Sequence, residues 1–212
     1  MQNNYDKVAG IYDQLAGLVF GKALIRSQVC LLPFIPAGSS ILIVGGGTGW
    51  ILEEIAHIHP SGLSVIYVEL SANMLAKAQM RDYKANQVIF VHQSVEDFQP
   101  AGKYDIIITP FLFDNFSPER AGNVFRHLSA LLRPDGLWLF TDFHYDEYRK
   151  RYWQKILLHA MLAFFRLLCK VEARNLDDIS QYFSENGFIP VHQADFFHHF
   201  IRSVAYKSVP HL

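Results

Sequence analysis

The sequence predicts an α/β fold: a Rossmann-like, mostly parallel sheet of seven strands, the last antiparallel, with helices on both faces. Three observations predict it. Short β-rich runs alternate with helical stretches from residue 41 onward, which is the pattern of a sheet covered by crossover helices. The first run ends in a glycine turn that opens a helix. The last two runs are separated by too few residues for a parallel crossover, so they pair antiparallel.

The elements follow in order. Residues 1–40 read as an N-terminal helical cap on a single domain. Ile41–Val44 is a continuous apolar run, the first strand. Thr48–Ile58 carries Ile51, Leu52, Ile55 and Ile58 at helical spacing. Pro60-Ser61-Gly62 is a turn and Leu63–Val68 a second strand, after which Ser71 caps a helix from Ala72 to about Tyr83. Val88–His92 and Tyr104–Thr109 are the third and fourth strands. Ser117-Pro118 reads as an N-cap with proline at the first helical position, opening a helix to about Leu132. Arg133-Pro134-Asp135-Gly136 turns the chain into a fifth strand, Leu137–Asp142. A helical insert follows, a lid over 144–175 whose helix runs from about Asp146 to Lys170. Leu176–Asn186 is a further helix with Gly187 at its C-cap. Phe188–Asp195 and His199–Lys207 close the sheet.

Composition excludes several function classes. Lys+Arg is 19 against Asp+Glu 20, so the basic excess of a duplex-binding protein is missing and no nucleic-acid partner is expected. Half the residues are hydrophobic, enough for a sizeable core. Cys30 and Cys169 form no CxxC and no disulfide framework. The apolar run Ala160–Phe165 is far shorter than the ~20 residues a spanning helix needs, so a cytoplasmic protein is expected. His57 and His59 diverge on a helix, and His198 and His199 alternate faces on a strand, so no metal site is expected.

The glycine turn is the most informative segment. Ile41-Leu42-Ile43-Val44-Gly45-Gly46-Gly47-Thr48-Gly49 is a buried strand, a turn and a helix start, at the strand end where open sheets bind ligands. A dinucleotide fingerprint would need a small residue where Trp50 stands, and no Gly-Lys-Ser/Thr follows for a phosphate loop. Glu69 ends the second strand, 20 residues after Gly49, where a carboxylate can accept from both hydroxyls of a ribose.

With these motifs in place, the sequence resembles class I S-adenosylmethionine-dependent methyltransferases, in particular the small-molecule branch that includes quinone-biosynthesis enzymes. Ile41–Gly49 resembles the family's first motif, Glu69–Leu75 its second, Val91–Phe98 its third, and Tyr104–Thr109 with Pro110 and Phe111 its fourth. Leu132–Leu137 resembles the turn before the fifth strand, and Tyr5–Asp13 an N-terminal segment that closes over the cofactor. The resemblance implies S-adenosyl-L-methionine as cofactor. It implies contacts from Gly45, Gly47, Thr48, Gly49, Glu69, Leu70, Met74, Ser94, Val95, Thr109, Phe111 and Tyr12. Ile43 stands where the family often has an acid for the amino-acid end of the cofactor, and Ser94 where it often has Asp.

Methyl transfer needs alignment more than a covalent residue. A base is needed only where the acceptor must lose a proton; Asp114, Asp142 and His144 lie just past the ends of the fourth and fifth strands, and His144 and Asp114 are the candidates. Tyr5, Phe113, Trp153 and Met161 are expected to contact a small, hydrophobic acceptor, the last two from the apolar face of the insert. Basic residues on that insert permit transient contact with a membrane surface. The alternative to an enzyme is a catalytically silent S-adenosylmethionine-binding protein; a nucleotide-dependent oxidoreductase is opposed by Trp50.

Overall fold

The computed structural model describes residues 17–144, Gln154, Ile156 and 178–209. Tyr5, Tyr12, Trp153, Met161 and nearly all of the expected insert lie outside the described residues.

One seven-stranded sheet organises the chain, in the order β3-β2-β1-β4-β5-β7-β6. The strands are β1 (Ser40–Val44), β2 (Ser61–Glu69), β3 (Ala85–His92), β4 (Tyr104–Pro110), β5 (Leu132–Phe143), β6 (Phe188–Phe196) and β7 (Ile201–Ser208). β7 runs antiparallel to both β5 and β6, as the short connection requires. The described helices are α1 (Ala23–Val29), α2 (Trp50–Ile58), α3 (Ala72–Ala78), α4 (Pro118–Leu131) and α5 (Ser180–Glu185). Among the described residues no helix is long and apolar enough to cross a membrane.

Alternation along β1 divides the core between two faces. Ile41 and Ile43 join Leu31, Leu32, α2 and α3 on one face. Leu42 and Val44 join α4 and α5 on the other. The second face is aromatic: Trp138 stacks on Phe125 at 5.1 Å and meets Phe183 edge-on at 5.0 Å. Each such buried side chain contributes about 1.5–3 kcal/mol, which is what presses the two helices onto β5 and β7. α1 is seated by its Ser27 carbonyl, which accepts from the Ser203 hydroxyl of β7 at 2.6 Å.

Several boundaries differ from expectation for local reasons. α3 stops at Ala78 rather than near Tyr83. Downstream, the Asp82 carboxylate accepts from the Lys84 N–H at 3.0 Å, a local bond that competes with helix. Residues 133–136 form a bulge inside β5 rather than a turn before it, since Tyr104 pairs with Leu132 but Ile106 with Leu137. Ser117 precedes α4 as expected but makes no side-chain cap bond. His198 and His199 do not lie on a strand. With Phe197 they form the β6–β7 turn, at φ 46, 58 and 68 for residues 197, 198 and 199. Asp195 stabilises this hairpin, its Oδ2 lying 3.0 Å from His199 Nδ1. Gln154, almost fully buried, donates to the His198 carbonyl at 2.9 Å.

Candidate active site

The chain leaves β1 at Val44 and turns through Gly45 and Gly47, at φ 70 and 62, angles that side chains disfavour. Gly45 also faces Leu112: a Cβ added there would lie 3.0 Å from Leu112 Cδ1. At Gly49 an added Cβ would fall 2.5 Å from the Ala78 Cβ, so this glycine lets α2 and α3 meet. Beneath the turn, Met74 lies 3.7 Å from where a Gly47 side chain would start.

Glu69 is 6% exposed at the end of β2. Its Oε2 accepts from the Gly47 N–H at 3.0 Å and its Oε1 from the Ser71 N–H at 2.9 Å. Two backbone N–H groups, one on each oxygen, fix the acid in place. A fixed carboxylate beside a glycine turn suits the ribose hydroxyls of the implied cofactor. Thr48 is buried at the same turn, and the Leu70 carbonyl lies 2.9 Å from His92 Nε2.

Three residues expected at the cofactor direct their side chains inward. The Ser94 hydroxyl donates to Asp97 Oδ2 at 2.7 Å and accepts from the Asp97 N–H. Val95 packs into the core. Thr109 is fully buried and accepts from the Trp138 indole N–H at 2.8 Å. Phe111, at φ 51, is held by an N–H bond to the Thr141 carbonyl at 2.7 Å.

A cavity opens at the carboxyl ends of β4 and β5. Phe113, Asp114, Phe140, Asp142, His144, Arg202 and Tyr206 are among the residues lining it. Asp142 builds this corner: its two oxygens accept from the Phe113 N–H at 3.0 Å and the Phe143 N–H at 2.8 Å, tying the Phe113–Asn115 turn to β5. Burial pushes the Asp142 carboxyl up to about 7 against those N–H bonds. Burial, and next the charge of Asp142, holds Asp114 well above the usual carboxylate range. Burial, then Asp178, pushes the Tyr206 hydroxyl up to about 12. Arg202 is engaged by Asp195 through Nε at 2.8 Å and a second nitrogen at 3.2 Å.

The structure therefore brings His144, Asp114 and Phe113 to one cavity and Gly45, Gly47, Thr48, Gly49, Glu69, Leu70 and Met74 to one turn. Sequence reasoning put Asp142 at the site's opening but missed that it ties the Phe113–Asn115 turn to β5, and it missed Tyr67, whose hydroxyl donates to the Gly47 carbonyl at 3.0 Å. Tyr67 stands two residues before Glu69 on the same face of β2, which is the signal that could have found it.

The sequence pattern of the family described as "Methyltransferase domain" matches residues 41–136, from β1 into the β5 bulge. Residues 41–136 are thus a methyltransferase domain of the class I S-adenosylmethionine-dependent kind. A malonyl-[acyl-carrier protein] O-methyltransferase from Bacillus anthracis is 29% identical over 155 residues, covering 71% of this chain and 55% of the relative. A second one, from Ilyobacter polytropus, is 29% identical over 109 residues, 51% of this chain and 41% of the relative. The chain thus spans about half the length of the curated relatives it matches. A solved magnesium protoporphyrin IX methyltransferase from Synechocystis with bound SAH has the same fold. Its TM-score is 0.67 at 18% identity, over 96% of both chains. The cofactor of the methyltransferase domain is S-adenosylmethionine.

Proposed function

We propose that this domain transfers a methyl group from S-adenosylmethionine to a small, uncharged and largely apolar acceptor in the cavity at the ends of β4 and β5. One observation carries the reading: the two sites are contiguous. Leu112 abuts Gly45 of the glycine turn, and the next two residues, Phe113 and Asp114, line the cavity.

Gly45, Gly47, Gly49, Glu69 and Met74 would hold the cofactor, with Thr48 and Leu70 at its border. When bound, it supplies an activated methyl on a sulfonium. The chain's own contribution is alignment, which can remove ~7–11 kcal/mol of a barrier. Phe113, Phe140 and Phe143 exclude water from the cavity. His144 takes the acceptor's proton where it carries one. Asp114, its carboxyl raised by burial and by the charge of Asp142, lines the same cavity and would hydrogen-bond the acceptor.

The relatives' names raise a malonyl thioester as a second acceptor class. The cavity favours a neutral molecule, since Asp114, Asp142 and Asp178 line it and Arg202 is already bound to Asp195. The test measures release of S-adenosylhomocysteine with neutral phenols or quinols and with a malonyl thioester. Turnover on the neutral class is expected. Turnover confined to the malonyl thioester overturns the acceptor reading. Binding of S-adenosylhomocysteine without turnover on any acceptor indicates the silent binding protein instead.

A further inference from the structure

Beneath the glycine turn lies a contact the site described above does not use. Tyr67 is fully buried on β2, its ring 5.6 Å from Phe90. Its hydroxyl donates to the Gly47 carbonyl at 3.0 Å. The Gly47 N–H is the group that Glu69 accepts from, at 3.0 Å. One residue of the turn is therefore held at both its polar groups, by two side chains that share one face of the same strand. Gly46 makes room for this. A Cβ there would lie 2.4 Å from the Tyr67 hydroxyl oxygen and 2.6 Å from its ring, whereas Gly46 itself does not adopt a positive φ. Glycine at 46 is thus demanded by the tyrosine, not by the backbone.

We propose that Tyr67 is a positioning residue for cofactor binding, acting through Gly47, and that Gly46 and Tyr67 work as a size-matched pair. A turn held in its binding conformation before the cofactor arrives loses less freedom on binding, which appears as affinity. The inference rests on the reading of this turn as the cofactor site.

Tyr67→Phe keeps the ring and removes the hydroxyl that donates to Gly47. Its dissociation constant for S-adenosylhomocysteine should rise about three- to tenfold, the size of one lost hydrogen bond. The Michaelis constant for S-adenosylmethionine should rise with it while kcat stays near wild type, and the melting temperature should move little. Gly46→Ala pushes the same hydroxyl aside from above and should weaken binding at least as much. In the double variant the two losses should not add. A folded Tyr67→Phe with unchanged affinity overturns the proposal, as does a lowered melting temperature with unchanged affinity, which marks a purely structural tyrosine. Should Tyr67→Phe fail to fold, unchanged affinity in Gly46→Ala overturns it equally. Failure of the wild-type chain to bind S-adenosylhomocysteine is a distinct result that overturns the cofactor reading and this proposal together.

Discussion

Both oxygens of Glu69 accept backbone N–H groups, from Gly47 and Ser71. A glutamine there must turn its amide NH2 toward one of those donors, so Glu69→Gln is not conservative. Hydrogen bonds to a charged group are worth ~1.5–3 kcal/mol. Glu69→Gln is expected to weaken S-adenosylhomocysteine about ten- to a hundredfold by calorimetry and to lower the melting temperature as well. Asp142 and Asp114 make a second residue-scale prediction. A carboxyl whose folded pKa lies above its unfolded value binds more protons when folded, so stability falls as pH rises between the two values. For Asp142 that window runs from 3.8 to about 7. Urea midpoints should therefore decline from pH 4 to 7 and level off above. In Asp114→Asn, which keeps an acceptor for the Asn115 amide and removes the second carboxyl whose value is raised by folding, the decline should be shallower. Glu69 was legible in the sequence because a strand end and a glycine turn announce it. Asp142 was placed at the site's opening, but its clamping role was not legible, because it depends on two N–H groups, one of them 29 residues away.

Helices and strands were mostly legible where hydrophobic period decides them, and less so where a single side chain sets a boundary. Asp178 illustrates this at α5: its carboxylate accepts from both the N–H and the hydroxyl of Ser180, at 3.1 and 2.6 Å, and so serves as the start signal. The β5 bulge was read as a turn because Pro134, Asp135 and Gly136 favour one. The flanking pairs Tyr104 with Leu132 and Ile106 with Leu137 make it part of the strand. The meeting of α2 and α3 supplies the prediction at this scale. Gly49→Ala combines φ 78 with a Cβ 2.6 Å from the Ala78 backbone. It should cost about 2–4 kcal/mol in urea unfolding, combining backbone strain with overpacking. On the opposite face Trp138→Ala should cost about 3–5 kcal/mol, since it removes a fully buried ring among Phe125, Phe183 and Phe188.

At the scale of the whole molecule, ligand binding and folding are linked. S-adenosylhomocysteine at a hundredfold its dissociation constant adds about 2.7 kcal/mol, or roughly 5–10 °C in melting temperature for a domain of this size. NAD should add nothing, because Trp50 stands where a dinucleotide turn needs a small residue. Calorimetric scans with each ligand check both expectations. The sheet order was legible only in part: alternation implied parallel strands and the short last connection implied reversal. That β7 enters between β5 and β6 depends on which edge the apolar faces can cover. This order also bears on how the chain is made. β7 is synthesised after both of its neighbours, so a nascent chain on the ribosome carries β5 with one bare edge, along Leu137–Phe143, until residues 201–208 have emerged. An unpaired edge of that length is a template for any neighbouring strand. On a crowded polysome the adjacent copy of this protein supplies one, so the interval before the final hairpin inserts is when a chaperone has most to protect.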